Sequence, residues 1–96
     1  MKKAKQNPKP KRRRVNFALT DQGAHNVNLV GDFNEWNQKS HPMKKDAVGT
    51  WKKTTLLEPG LYEYKFLVDG EWKEDPLNPN RCRNRFGTFN CIVQVS

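Results

Sequence analysis

From Arg14 onward the chain alternates between apolar and polar positions. Val15, Phe17 and Leu19 are separated by Asn16 and Ala18. That two-residue period belongs to a strand with one face on a core. Thr20-Asp21-Gln22-Gly23 is turn chemistry, and Val27 and Leu29 resume the alternation in a second strand running to Val30. Gly31-Asp32-Phe33-Asn34-Glu35-Trp36-Asn37 breaks the pattern and reads as a loop, followed by a polar connection holding Pro42 and Met43. The segment from Gly49 to Leu57 is rich in Trp and Thr and predicts a third strand. After the turn Glu58-Pro59-Gly60 comes the clearest strand, with Tyr62, Tyr64, Phe66 and Val68 on one face and Glu63 and Lys65 on the other. Asp69-Gly70 is a hairpin signal, because both residues tolerate the positive φ angles of a tight primed turn. Glu71-Trp72-Lys73 begins the return strand, Asp75 to Asn80 is irregular around Pro76 and Pro79, and Phe89 or Asn90 to Val95 closes the chain. Apolar residues nowhere recur at helical spacing over about ten positions. Short strands punctuated by turns predict an all-β sandwich without internal repeats.

Charge modifies that picture at one end only. Lys2, Lys3, Lys5, Lys9, Lys11, Arg12, Arg13 and Arg14 account for the whole formal net charge of +8. The other ten basic residues are matched in number by the ten acidic ones. Residues 1–13, nearly devoid of apolar side chains, are therefore expected to be a disordered basic tail, and residues 14–96 the single folded domain. Such a tail keeps a neutral domain soluble, and it attracts polyanions without sequence preference. No apolar run is long enough to cross a bilayer, and none follows the basic N-terminus as in a secretory signal. A soluble, cytoplasmic protein with no membrane contact is the expectation.

Cys82 and Cys91 have no metal-site spacing with each other or with His25 and His41, so no metal or cofactor is expected. Without a secretion signal the two thiols are expected to be reduced, although a disulfide between them stays open. Cys91, opening the run to Val95, reads as a small core residue. Asp69, Glu71, Glu74 and Asp75 form an acidic cluster on and after the hairpin. With nothing to bury or tune them, they read as a solvated loop and not as the flanking carboxylate pair of a glycosidase. No nucleophile-base or phosphate-loop arrangement appears, and the expectation is a protein that is not an enzyme.

Two large aromatics stand on irregular, polar segments, although a Trp in a small β-domain is more often a core residue than a ligand platform. Trp36 lies among Asn34, Glu35 and Asn37, and Trp72 follows a tight turn where a large ring is hard to bury. Trp51 lies within a strand and reads as core. Lys65, opposite the Tyr64 and Phe66 face, is expected to point outward; taken alone it is a solvated strand residue. Asp32 and Asn34 are expected to bond within their own loop.

Four blocks of this sequence, in order and spacing, resemble a known family. Leu29-Val30-Gly31-Asp32-Phe33-Asn34-Glu35-Trp36 resembles the LxGxFNxW signature of glycogen-binding domains. Pro59 to Trp72 resembles their PGxYxYKFxVDGxW segment, Asp75-Pro76 follows at the usual place, and Phe86-Gly87-Thr88-Phe89-Asn90 resembles their LGxxN element. The family is that of the AMP-activated kinase β subunit, with the N-terminal domains of isoamylase and branching enzymes, here in a chain read as standing alone. The resemblance covers about residues 14–96 and implies an immunoglobulin-like early-set β-sandwich. It also implies recognition of α-1,4-linked glucan, such as glycogen, starch or a maltooligosaccharide, through Trp36, Trp72, Lys65, Phe86 and Asn90, with Thr88 as a further candidate. The chain departs from the kinase-type pattern at Phe86, where those domains carry leucine. The partners implied are the glucan itself and a glycogen-metabolising enzyme or kinase acting in trans.

The chemistry suits the ligand. A glucose ring has an apolar C–H face that packs on a flat indole, and a rim of hydroxyls that needs matched donors and acceptors. Lys65 supplies donors and Asn90 supplies both. Two other classes compete. An early-set domain can serve as a protein-interaction or regulatory module that has lost its sugar site. Arg81, Arg83 and Arg85 interleaved with Phe86 and Phe89 also resemble the basic-aromatic strands of RNA-binding sheets, but those sheets carry helices that are not visible here. Nucleic-acid contact is therefore expected only through the tail.

Overall fold

The computed structural model describes residues 11–96. The tail expectation for residues 1–10 lies outside that range. Within it, eight strands form: β1 Arg13–Thr20, β2 Val27–Gly31, β3 Lys44–Lys45, β4 Thr50–Leu57, β5 Gly60–Val68, β6 Glu71–Lys73, β7 Arg81–Arg83 and β8 Phe89–Val95. They make two antiparallel sheets. One has the order β1-β4-β3. The other has the order β2-β5-β8-β7, with β6 also on β5. This is the all-β sandwich that the alternation predicts. β1 begins at Arg13, one residue inside the segment assigned to the tail, because Arg13 pairs with Leu57 and its Nε donates to the Ser96 carbonyl at 2.9 Å.

The inward faces are those of the period-two reading. Phe17 and Leu19 of β1, Val27 and Leu29 of β2, Tyr64 and Phe66 of β5, and Cys91 and Val95 of β8 are all buried. Phe17 meets Tyr64 across the two sheets edge-on, with ring centroids 4.9 Å apart. Trp51 is buried with them, and its indole N–H donates to the Asp21 carbonyl at 3.0 Å. Cys91 is a buried core residue and Cys82 is only part-buried; both thiols are free. Burial pushes the Cys91 thiol up.

β5 organises the second sheet. Its C-terminal half pairs with β2 on one edge. On the other edge its first half pairs with β8 and its last three residues with β6. The outer face of β5 thus brings Glu63 and Lys65 beside residues of β6 and β8 that are distant in sequence.

Two strands escaped the sequence reading. β3 and β7 are two and three residues long. Their pairing with β4 and β8 comes from tertiary proximity and not from any alternation of their own. The Gly31–Asn37 loop contains a 3-10 turn, Asp32–Asn34. Gly31 is required at its start by close approach: a Cβ there would lie 2.6 Å from the Glu63 carbonyl oxygen and 2.9 Å from the Phe33 ring.

The acidic cluster after the hairpin is not a plain solvated loop, which corrects that expectation. Glu74 pairs with Arg81 at 2.7 Å, and Asp75 accepts the Tyr64 hydroxyl at 2.7 Å. Asp69 accepts the backbone N–H groups of His25 (2.9 Å) and Asn26 (2.7 Å), tying the hairpin to the entrance of β2. Those bonds hold its carboxyl below the usual range, the Asn26 N–H most of all. A depressed folded-state pKa stabilises the fold above the unfolded value of about 4 and loses that contribution as pH falls through the depressed one. Asn can keep the two acceptor bonds and the φ of 49° that Asp69 adopts. Asp69→Asn is therefore expected to flatten the fall of the thermal midpoint between neutral pH and pH of about 3. Part of the slope should remain, because Asp46 is lowered in the same way by the N–H groups of Thr50 and Val48. An unchanged slope in Asp69→Asn would remove Asp69 from the acid response.

Candidate functional site

The outer face of β5 is covered at its centre. Val30, cross-strand from Lys65, is fully buried there although it lies opposite the sandwich interior. Beside it opens a groove of about 710 Å³. Its walls include all six residues singled out from the sequence: Trp36, Lys65, Trp72, Phe86, Thr88 and Asn90. They come from the β2–β3 connection, β5, β6, the β7–β8 connection and β8.

Trp36 is held by backbone geometry and by one carboxylate. Glu35 and Trp36 have φ of 55° and 57°, a conformation that costs a non-glycine residue free energy and marks a constrained segment. The Trp36 N–H donates to the Gly31 carbonyl at 2.9 Å, and its indole Nε1 donates to Asp32 Oδ1 at 2.9 Å. Asp32 Oδ2 accepts the Glu63 backbone N–H at 2.8 Å. One carboxylate thus fixes the indole to β5. Asp32 reaches beyond its own loop, which extends the expectation for it. Asn34 accepts from the Gly31 N–H within the loop as expected, but its amide also reaches out of it, to the Leu29 carbonyl of β2 and to His41 Nδ1 at 3.1 Å.

Trp72 lies opposite Leu67 across the β5–β6 pair and is 46% exposed. The Trp36 and Trp72 rings meet edge to face, with centroids 6.4 Å apart and planes at 64°. They form an angled pair on one groove, so a chain seated on both must curve between them.

Lys65 corrects the expectation of a solvated strand residue. It does face away from Phe66, but it is only 7% exposed. Its ammonium donates to Thr88 Oγ1 at 3.0 Å, and among the described residues no carboxylate lies within 4 Å of it.

Asn84 is the residue the sequence reading missed, and it organises the far wall. Its Oδ1 accepts from the N–H groups of Phe86 (2.9 Å) and Thr88 (3.1 Å). Its amide donates to Thr88 Oγ1 (2.7 Å) and to Asn90 Oδ1 (2.9 Å). Asn90 in turn donates to Glu63 Oε1 at 3.0 Å. Thr88 Oγ1 accepts two bonds, so its hydroxyl hydrogen stays free to donate into the groove. Asn90 keeps one N–H and one lone pair, and Lys65 keeps two donors. A signal for Asn84 was present: Asn84-Arg85-Phe86-Gly87 has Asn at the first and Gly at the fourth position, the signature of a type I turn. The Gly87 N–H does donate to the Asn84 carbonyl at 3.2 Å. Phe86, at the tip of this turn, is 77% exposed. Among the described residues no His, Cys, Asp and Glu side chains converge as metal ligands would.

The chain belongs to the family described as the glycogen recognition site of AMP-activated protein kinase, whose model matches residues 15–96. Protein FLOURY ENDOSPERM 6, chloroplastic, of Oryza sativa subsp. japonica is 38% identical over 86% of this chain and 15% of its own length. The 5'-AMP-activated protein kinase subunit beta-1 of Sus scrofa is 37% identical over 76% of this chain and 57% of its own. Protein PTST homolog 2, chloroplastic, of Arabidopsis thaliana is 46% identical over 58% of this chain and 10% of its own. The chain therefore spans only part of the length of these relatives. A maltogenic amylase from S. marinus shares the fold, with a TM-score of 0.74 and 22% identity over 91% of this chain and 14% of its own. Among the described residues no helix is long and apolar enough to cross a membrane.

Proposed function

We propose that this chain is a non-catalytic α-glucan-binding module that seats a maltooligosaccharide, or a chain of glycogen or starch, in the groove over β5. The observation carrying the proposal is the pair of angled indoles beside a free set of donors on Lys65, Thr88 and Asn90. The indoles offer apolar faces to successive sugar rings. The donors read the hydroxyl rim, and a sugar that left them unpaired would bind more weakly. Phe86 adds an exposed apolar contact at the lip. The angle between the indoles favours the curved path of an α-linked chain over a flat β-linked ribbon.

A module of this kind carries a partner to glucan. One relative is named as a kinase subunit, and a kinase or glycogen-metabolising enzyme acting in trans is the partner class this reading implies. The sequence expects a cytoplasmic protein, whereas two plant relatives are named as chloroplastic. On this reading the compartment is one that stores glucan, and fractionation of host cells would identify it. The test of binding is titration with maltoheptaose and, separately, cellohexaose, following indole fluorescence. Saturable quenching or enhancement by the first alone is the expected result. No response to either sugar, or equal response to both, would overturn the reading.

A further inference from the structure

The groove has a charge imbalance that a neutral sugar does not neutralise. It is lined by two cations, Lys65 and Arg85, and one carboxylate, Glu63. Glu63 already accepts the Asn90 amide. Lys65 is more than nine-tenths buried, and its ammonium has only the Thr88 hydroxyl as a hydrogen-bond partner among the described residues. Burying an ammonium without a counter-charge is costly, and hydroxyl acceptors compensate it only in part. Arg85 is exposed beside Phe86, with its guanidinium carbon 5.1 Å from the ring centroid. It too has no carboxylate within 4 Å among the described residues. Elsewhere Lys52 pairs with Asp46, Lys73 with Asp21 and Arg81 with Glu74, while Lys39, Lys44 and Arg83 have no such partner among the described residues but are exposed to solvent. Among the described residues Lys65 is the only buried charged side chain, and it lines the same groove as Arg85.

We infer that the groove prefers glucan carrying monoester phosphate, with Arg85 as the residue that sets the preference. A guanidinium presents paired donors that fit phosphate oxygens, and its stacking on Phe86 limits the freedom it would lose on binding. Lys65 adds a fixed positive charge at the groove floor. This rests on the glucan-binding reading and deepens it by naming the substituent.

The test uses the whole chain and two samples of one phosphorylated starch dextrin, one of them treated with phosphatase. Isothermal titration is expected to give about three- to tenfold tighter binding to the phosphorylated sample at low salt, with the ratio shrinking as salt rises. In Arg85→Gln the ratio should fall toward one, and in Arg85→Lys most of it should return. Arg85 is exposed, so neither change threatens the fold. Equal affinity for the two dextrins would overturn the phosphate preference and leave the glucan reading standing. Loss of binding to both would overturn the two together. A preference that survives unchanged in Arg85→Gln would take the role away from Arg85.

Discussion

Replacing Trp36 and Trp72 together by Ala is expected to weaken maltoheptaose binding by about a hundredfold or more, on the order of 3 kcal/mol. Each indole offers one large apolar face, and covering such a face contributes on the order of 1–2 kcal/mol. The two rings are in contact with each other, so their effects should not add simply. Trp36→Ala alone also leaves Asp32 Oδ1 without the indole donor, which frees the loop to relax. Trp72→Ala alone removes a ring already about half exposed, with little effect on the fold. Titration calorimetry on the two single variants and the double variant checks this, with far-ultraviolet circular dichroism confirming that each is folded. Retention of near-native affinity by the folded double variant would refute stacking as the source of binding.

Phe66→Ala is expected to destabilise the domain by about 3–5 kcal/mol, a large share of the 5–15 kcal/mol available to a domain. Phe66 is fully buried, packs edge-on against Tyr64 at 5.9 Å, and sits on the strand that joins β2 and β6. Removing the ring leaves a cavity that the flanking strands cannot close, because their spacing is fixed by backbone pairing. Denaturant unfolding followed by Trp fluorescence measures the effect. A loss under about 1 kcal/mol would mean that the core repacks at this site. The milder Phe66→Leu variant should stay folded and lose less, which keeps the comparison measurable if Phe66→Ala does not fold.

The two variants separate what holds the domain together from what it presents. The core residues face inward along β1, β2, β5 and β8. The groove residues occupy the opposite face of β5 and the loops around it, so changes there should alter binding more than stability. Lys65 belongs to both groups, being buried and also lining the groove.

Much of this was legible along the chain. The two-residue period predicted which of Tyr64, Lys65 and Phe66 face together, since successive side chains of a strand point to opposite sides whatever the partner strand is. Asp69-Gly70 predicted its hairpin because backbone preference at a turn is local. Polar neighbours around Trp36 and the tight turn before Trp72 made both stand out, but it was the family motifs that turned them from core candidates into a sugar surface and supplied Phe86, Thr88 and Asn90. Tertiary structure decided the rest, because it depended on residues distant in sequence coming together. β3 and β7 are too short to carry a period and exist because β4 and β8 offer them a pairing edge. Lys65 is buried, not solvated, because segments from four other parts of the chain close over the outer face of β5. Asp32 and Asn84 hold the site through bonds to Trp36, Glu63, Thr88 and Asn90 that no local pattern specifies. Alternation and turn preference are properties of neighbouring residues and can be read in order. The angle between two indoles and a buried, unmatched charge in the same groove are properties of packing, and they appear only once the chain has closed on itself.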